Sequence, residues 1–202
     1  MDSSVLSDDS DYDIVSPDTS IADLSHGAAA STILEPPPSE AARETFNTCQ
    51  LSAEEIQAFV RSSLGLSLPM SQGRTKRIYV DGIFDSFSVR NVLHLRQAKL
   101  SFPSVWLVVG VFSNDMCDRF GTPPALPEVE RIEIVRHLRW VDEVLPIGAA
   151  PWTLDTQFLV QHKIDYVAIE EGATVDPSFD KLRLKGYDEM KKNGVRTTAL
   201  VL

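Results

Sequence analysis

In the second half of the chain, the spacing of hydrophobic and polar positions changes repeatedly between the pattern typical of strands and the pattern typical of helices. Short runs rich in β-branched residues predict strands, and they occupy residues 77–80, 105–111, 143–146, 166–169 and 197–202. Segments with apolar positions three and four apart predict helices between them, and these occupy residues 89–100, 128–138, 154–162 and 180–193. Strands without a polar face are buried on both sides, so this order predicts a five-stranded parallel α/β sheet with helices on both faces.

The first part of the chain has a different composition. Residues 1–50 are rich in Ser, Asp, Ala and Pro, and they cannot bury enough apolar surface to offset the entropy of ordering. Ser52 and Glu55 have the spacing of a capping box and Gly65 is a helix stop, which predicts a helix over 51–64 on the outside of the domain. The predicted division is a disordered acidic tail, a helix with a linker, and a single domain, over residues 1–50, 51–75 and 76–202.

The charge of the chain is concentrated in this tail. The net charge is -10. Residues 1–40 carry nine of the 29 acidic residues and no Lys or Arg, while residues 41–202 carry 20 acidic and 19 basic residues. A near-neutral domain lacks the basic footprint of a nucleic-acid-binding protein, so we expect no nucleic-acid partner.

Cysteine usage and hydropathy indicate a cellular setting. Cys49 and Cys117 have no spacing typical of a disulfide framework or a zinc site. The N-terminus lacks the basic-then-apolar order of a signal peptide, and no apolar run reaches membrane-spanning length. We therefore expect a reduced intracellular location, cytoplasmic or nuclear, without stable insertion into a membrane.

The stretch 76–99 is the segment around which the domain is organised. A short strand is followed by Asp81 and Gly82, and Ser88 can cap the helix that comes next. Free backbone N–H groups and the helix dipole favour an anion at such a helix start. In parallel sheets ligands bind at the carboxyl ends of the strands, so this stretch predicts a phosphate site.

The same stretch is similar to the first motif of the CTP:phosphocholine cytidylyltransferases, in the nucleotidyltransferase superfamily. That motif reads Tyr-x-Asp-Gly-x-Phe-Asp-x-Phe-His-x-Gly-His and is followed by Gln-Ala-Lys. The resemblance implies a Rossmann-like nucleotidyltransferase fold and covers roughly the last three fifths of the chain. The matching residues are Tyr79, Asp81, Gly82, Phe84, Asp85, Phe87, Gln97, Ala98 and Lys99.

The chain departs from the motif at its centre. The two family histidines fall on Ser88 and Asn91, and the family glycine falls on Arg90. The family lysine lies in a Phe-Lys-Gly sequence, where this chain has Phe120 directly before glycine and Arg119 as the nearest cation. Ser88 and Asn91 are therefore degenerate catalytic positions, and the alternative interpretation is a helix cap and a solvated side chain.

The resemblance also assigns the nucleotide-binding positions. They are Gly82, Ile83, Phe84 and Arg90. Arg90 could reach a triphosphate or could block the approach of the nucleotide to the backbone. The resemblance implies CTP as a substrate, with Mg²⁺ if the protein is active and no cofactor otherwise, and it implies no metal ligand in the chain.

The family positions that bind phosphocholine are matched better in this chain than the family's catalytic positions. Choline is a quaternary ammonium that aromatic faces and carboxylates recognise. The resemblance places phosphocholine against Arg139, Trp152, Glu170 and Tyr187. Core packing of the tryptophan and a solvated loop around the glutamate are the alternatives.

Three functions are compatible with these matches. The first is a choline-phosphate cytidylyltransferase-like protein (CTP and phosphocholine to CDP-choline and pyrophosphate) of weak or no activity. The second is a pseudoenzyme that binds an active homologue, because family dimers form around a segment resembling Arg139–Glu143, as a homodimer or a heterodimer. The third is an ethanolamine-phosphate cytidylyltransferase-like protein. The family's second signature has only its beginning here, at residues 196–198, so the domain is expected to be truncated at its C-terminus relative to the family.

Overall fold

The computed structural model of the chain describes residues 35–66, 73–119, 121–148, 156–170, 192 and 196–200. Within these ranges the predicted parallel α/β sheet is confirmed, with five strands in the order β3-β2-β1-β4-β5. The strands are β1 Lys76–Gly82, β2 Val105–Phe112, β3 Glu143–Ile147, β4 Tyr166–Glu170 and β5 Arg196–Leu200. Only the backbone of β5 is described.

Six α-helices and one 3-10 helix accompany the strands in the described ranges. The α-helices are α1 Glu40–Thr45, α2 Ala53–Ser63, α3 Val89–Leu100, α4 Asn114–Arg119, α5 Glu128–Arg136 and α6 Thr156–Gln161, and the 3-10 helix is Asn47–Gln50. The predicted helix over 180–193 lies outside the described residues, apart from residue 192.

The central pair of strands is the longest ladder of the sheet. β1 pairs with β2 over seven residues, from Lys76 opposite Val105 to Gly82 opposite Val111, and with β4 over two. The backbone N–H of Asp165, just before β4, donates to the Arg77 carbonyl at 2.9 Å, and the Asp165 carboxylate accepts from the Arg77 N–H at 2.9 Å. These contacts fix the register of β4 at the amino end of the sheet.

The two faces of the sheet carry separate apolar clusters. One contains Ile78 and Val80 of β1 and alternate residues of β2, packed against α2, α3 and Val135 of α5. The other contains Tyr79, Val108 and residues of α6. Helices therefore cover both faces, as the absence of a polar face on the strands predicts.

Gly110 shows how tightly the second face is filled. A Cβ at this position would lie 2.1 Å from the hydroxyl oxygen of Tyr79, whose side chain is 1% exposed. The Tyr79 ring also meets Phe158 edge-on, with 5.2 Å between ring centroids. The glycine therefore provides the space into which the tyrosine ring extends.

Helix α2 lies within the predicted range and buries one face against the sheet domain. Ser52 and Glu55 form the capping box, and Gly65 has a φ of 62° after the last turn. Ile56 and Val60 are 3% and 0% exposed and belong to the main core cluster, so α2 is part of the core. The rest of the helix is largely exposed, so α2 packs on the outside of the sheet through this one apolar face.

The residues before α2 also differ from the prediction. Residues 1–34 of the predicted disordered tail lie outside the described residues, but residues 35–50 contain α1 and the 3-10 helix. Ser39 caps α1 by accepting a hydrogen bond from the Ala42 N–H. The described residues from Glu35 onward belong to the same compact unit as the sheet. Composition did not reveal this, because the segment is joined to α3 by the ion pair between Glu35 and Arg96, and α1 has no buried residue that would give a hydrophobic stripe.

Candidate functional site

A cavity of about 470 Å³ lies at the carboxyl ends of the central strands, where the phosphate site is predicted. It is bounded by the loop after β1, by the first turn of α3 and by the loop before α5. Its lining residues are Ile83, Phe84, Asp85, Ser86, Asn91, Thr122, Pro123 and Pro124. This set contains the predicted residues Ile83, Phe84 and Asn91.

Ser88 and Asn91 are brought together at the start of α3. The carboxamide oxygen of Asn91 accepts hydrogen bonds from the Ser88 backbone N–H at 2.9 Å and from the Ser88 hydroxyl at 3.1 Å. The helix start is therefore capped by these two residues. Since Asn91 also lines the cavity, its amide NH₂ is the donor that this position can offer to a ligand.

The turn after β1 is located two residues later than predicted. Gly82 is the last residue of β1, and it is Phe84 that has a positive φ, of 55°. Such a φ is a genuine outlier for a bulky residue and costs of order 1–3 kcal/mol. The ring of Phe84 is 8% exposed, so its burial offsets the strain. Gly82 is needed for a different reason, because a Cβ there would lie 3.2 Å from that ring.

Arg131 on α5 is the residue that joins the loops around the cavity. Its side chain is completely buried. One Nη donates to the carbonyl oxygens of Ile83 and Phe112 at 2.6 and 2.8 Å, and the other donates to the Asn114 side chain at 2.7 Å. Its Nε donates to the Leu126 carbonyl at 3.1 Å. One guanidinium thus ties together the ends of β1 and β2, the start of α4 and the loop before α5.

Asp85 holds the same loops from the other side. Its carboxylate accepts hydrogen bonds from the backbone N–H groups of Ala125 and Leu126, at 2.9 and 2.6 Å. These two bonds, with the charge of Arg131, lower the pKa of Asp85. The carboxylate therefore stays ionised at neutral pH and places a negative charge beside the cavity.

The cations expected near the phosphates lie elsewhere. Arg90 is exposed on the first turn of α3, and Arg119 is exposed at the end of α4. Neither lines the cavity, and Arg131 already uses its donors on four acceptors. Among the described residues that line the cavity, the only ionised side chain is the carboxylate of Asp85.

The predicted phosphocholine positions are described only in part. Arg139 is exposed between α5 and β3. Glu170 is the last residue of β4, and its backbone pairs with Leu200 of β5. The side chain of Glu170 and the residues Trp152 and Tyr187 lie outside the described residues.

The described part of the chain contains no group of three or more His, Cys, Asp or Glu side chains close enough to hold a metal ion. No helix in it has the length and apolar character needed to cross a membrane.

Sequence reasoning missed Arg131 and the role of Asp85. A signal for Arg131 was present, because residues 131, 135 and 138 have the i, i+4, i+7 spacing of an apolar stripe. An arginine on such a stripe is either at its edge or buried with partners. The partners here are mainly backbone carbonyls, which no sequence pattern shows.

A parallel sheet covered on both faces, with a polar cavity at the carboxyl ends of its strands, is the arrangement of a nucleotidyltransferase fold. The family model described as cytidylyltransferase-like matches residues 79–194. The chain therefore belongs to the cytidylyltransferase-like family.

Individual relatives agree with this family. The chain is 47% identical over 140 residues to choline-phosphate cytidylyltransferase 2 of Arabidopsis thaliana, covering 65% of this chain and 45% of that protein. It is 36% identical over 155 residues to choline-phosphate cytidylyltransferase of Saccharomyces cerevisiae, covering 73% and 36%. It is 32% identical over 146 residues to ethanolamine-phosphate cytidylyltransferase of Mus musculus, covering 69% and 35%. The chain thus spans less than half the length of these curated relatives.

Proposed function

We propose that this chain is a choline-phosphate cytidylyltransferase-like protein that binds phosphocholine and turns over CTP very slowly or not at all. The observation that supports this is the charge of the cavity at the start of α3. Its described lining contains Asp85 and no basic residue, and the two positions of the family histidines cap the helix together.

The chemistry of cytidylyl transfer explains why a cavity lining without basic residues implies a low rate. Attack of the phosphocholine phosphate on the α-phosphate of CTP concentrates negative charge on a five-coordinate phosphorus, and charged donors around it supply most of the catalysis. Ser88 and Asn91 offer neutral donors only. One lost acid, base or charged donor typically costs ~10²–10⁴-fold in rate. Losses that act on one phosphate group do not simply multiply.

We propose that the choline side of the site is retained. A quaternary ammonium is recognised by an aromatic face and a carboxylate, which Trp152 and Glu170 would supply. Tyr187 and Arg139 would assist in binding the phosphate-bearing ligand. Phosphocholine should then bind more tightly than CTP, because the aromatic and carboxylate groups are kept while the cationic clamp for the triphosphate is not. Mg²⁺ would accompany the phosphates of CTP in any residual reaction.

Calorimetric titration with CTP and phosphocholine separately tests this proposal. A Trp152→Ala change should weaken phosphocholine binding about threefold to thirtyfold, since a cation–π contact is worth about 0.5–2 kcal/mol. Trp106→Phe is the matched control, because Trp106 is 42% exposed and donates to Glu143 at the other end of the sheet. Heat from CTP without heat from phosphocholine would contradict the pocket assignment.

A turnover assay tests the slow chemistry. A wild-type rate in the range of ordinary enzymes, about 1–10³ per second, would refute it. The combined change Ser88→His, Arg90→Gly and Asn91→His should raise any measurable rate, because it restores charged donors at the helix start. A rate that stays at background after this change favours a pseudoenzyme instead.

Phosphoethanolamine is the second candidate substrate, because ethanolamine-phosphate cytidylyltransferases are among the relatives. A primary ammonium interacts with a carboxylate through hydrogen bonds and depends less on an aromatic face. Under this alternative, Glu170→Gln should weaken binding more than Trp152→Ala does, and phosphoethanolamine should compete with phosphocholine in the same titration.

We also propose that the segment Arg139–Glu143 contributes to a homodimer or to a heterodimer with an active homologue. Asp142 accepts hydrogen bonds from Lys99 and from the Leu107 N–H, and Glu143 accepts from Arg77 and Trp106. These carboxylates support their own sheet, and the resemblance of the segment to the family's dimer segment, together with the exposure of Arg139, supports the proposal. Sedimentation of Arg139→Glu against the wild type tests this, and an unchanged monomer in both would refute it.

A further inference from the structure

A second cavity, of about 340 Å³, lies between α3 and the residues before α2. We call it the Arg96 cavity. It is lined by Glu35 to Pro38, by Cys49 to Ser52, and by Arg43 and Arg96. No residue is shared with the lining of the cavity at the start of α3. Its volume lies within the range of small-molecule sites.

Arg96 is the buried charge of this cavity, with 6% of its surface exposed. Its Nε donates to both carboxylate oxygens of Glu35, at 2.9 and 2.7 Å, and one Nη donates to the Leu51 carbonyl at 2.9 Å. The guanidinium carbon lies 5.8 Å from the ring centroid of Trp140. Among the described residues, the carboxylate that contacts this buried cation therefore comes from the segment before α1.

The hydrogen bonds of the cavity's two arginines are incomplete. Nη1 of Arg96 is buried and has no hydrogen-bond partner among the described residues. Arg43 donates through its Nε to the Pro38 carbonyl, and that is its one hydrogen bond in the described part of the chain. Arg43 and Arg96 thus line one cavity in which Glu35 is the single acidic residue of the described lining, and the net charge of that lining is positive.

We propose that the Arg96 cavity is an anion-binding site whose ligand is a small soluble phosphate compound, and that Glu35 is a displaceable ligand supplied by the chain itself. The Glu35 carboxylate is bound to Arg96 and so occupies the position that the anion would take. A phosphate group presents more acceptor oxygens than a carboxylate and is a preferred partner of guanidinium groups. It would replace Glu35 on Arg96 and engage Arg43.

The tethered carboxylate competes with a ligand from solution. A short tether gives a local concentration in the millimolar range, so the wild type should bind phosphate weakly. Glu35→Gln removes the competing charge and keeps the shape of the side chain. If competition from the Glu35 carboxylate weakens phosphate binding to the wild type by a factor of about ten, inorganic phosphate should bind this variant about tenfold more tightly than it binds the wild type.

The probe is inorganic phosphate, titrated into the full chain at constant ionic strength set with sodium chloride. The expected result is a rise in melting temperature with phosphate concentration that is larger for Glu35→Gln than for the wild type. Arg43 is exposed, so Arg43→Gln in the Glu35→Gln background should fold and should reduce phosphate affinity several-fold.

Arg96→Gln combined with Glu35→Gln removes both members of the pair, which avoids leaving an unpaired buried charge. This double variant should lose the response to phosphate. The proposal is overturned if Glu35→Gln binds phosphate no better than the wild type. It is also overturned if the response survives in the double variant, because the anion would then bind elsewhere in the chain.

Discussion

Arg131 offers the sharpest test of how the candidate site is held together. Replacing it by methionine removes the guanidinium while filling a similar length of side chain. The carbonyl oxygen of Phe112 is buried, and leaving such an acceptor without a partner costs about 1–3 kcal/mol. The other three bonds are partly buried, at a net of about 0.5–1.5 kcal/mol each.

Water can replace some of the partly buried bonds, so the whole loss should be about 3–5 kcal/mol in the free energy of unfolding. For a chain of this size that corresponds to roughly 6–20 °C in melting temperature. Denaturant and thermal unfolding followed by circular dichroism measure both quantities. Arg131→Lys should fall between methionine and the wild type, because a lysine keeps the charge but reaches fewer of the acceptors.

The matched control is Arg136→Met on the same helix. Arg136 and Glu133 form an ion pair whose side chains are 56% and 49% exposed, and such surface pairs are worth about 0–1 kcal/mol. If Arg131→Met and Arg136→Met destabilise the protein equally, or if Arg131→Met costs less than about 1 kcal/mol, the structural role of the buried arginine is refuted.

Three further predictions concern single contacts. Gly110→Ala should destabilise the fold by about 1–3 kcal/mol through overpacking against the Tyr79 hydroxyl, and an unfolding midpoint equal to the wild type would contradict this. Asp85→Asn should destabilise the protein at neutral pH. Because the folded pKa of Asp85 is lowered, its contribution to stability is present above the unfolded pKa of about 3.9 and is lost as pH falls through the folded pKa. The difference in unfolding free energy between Asp85→Asn and the wild type should therefore narrow below about pH 4. A difference that does not depend on pH would count against a role for the ionised carboxylate. Ser52→Ala removes one half of the capping box with Glu55 and should cost about 1 kcal/mol, whereas no change in stability would show that α2 is held by its buried residues alone.

The sheet could be predicted because its signal is local and repeated. The run from Val105 is apolar over seven residues, and 89–100 combines a capping serine with an apolar stripe, so both elements were found at nearly their observed boundaries. The fold follows from the order of such elements, since buried parallel strands need connecting helices.

The details of the site could not be predicted in the same way. Its geometry depends on long-range polar contacts, such as the bonds from Arg131 to carbonyls 19 and 48 residues away. Glycine signals were also ambiguous. Gly82 predicted the turn, but the positive φ belongs to Phe84, because the tertiary packing of a ring outweighed the local preference.

The pair Ser88 and Asn91 at the start of α3 also has a consequence for stability. A side chain that caps a helix contributes about 0.5–2 kcal/mol of stability, and the carboxamide oxygen of Asn91 has this role in α3. Side chains that cap a helix in this way favour stability, whereas reactive side chains at the same positions would give up part of that stability for chemistry. Replacing Ser88 and Asn91 by histidine should therefore remove the cap and lower the melting temperature of the protein, whatever its effect on the rate.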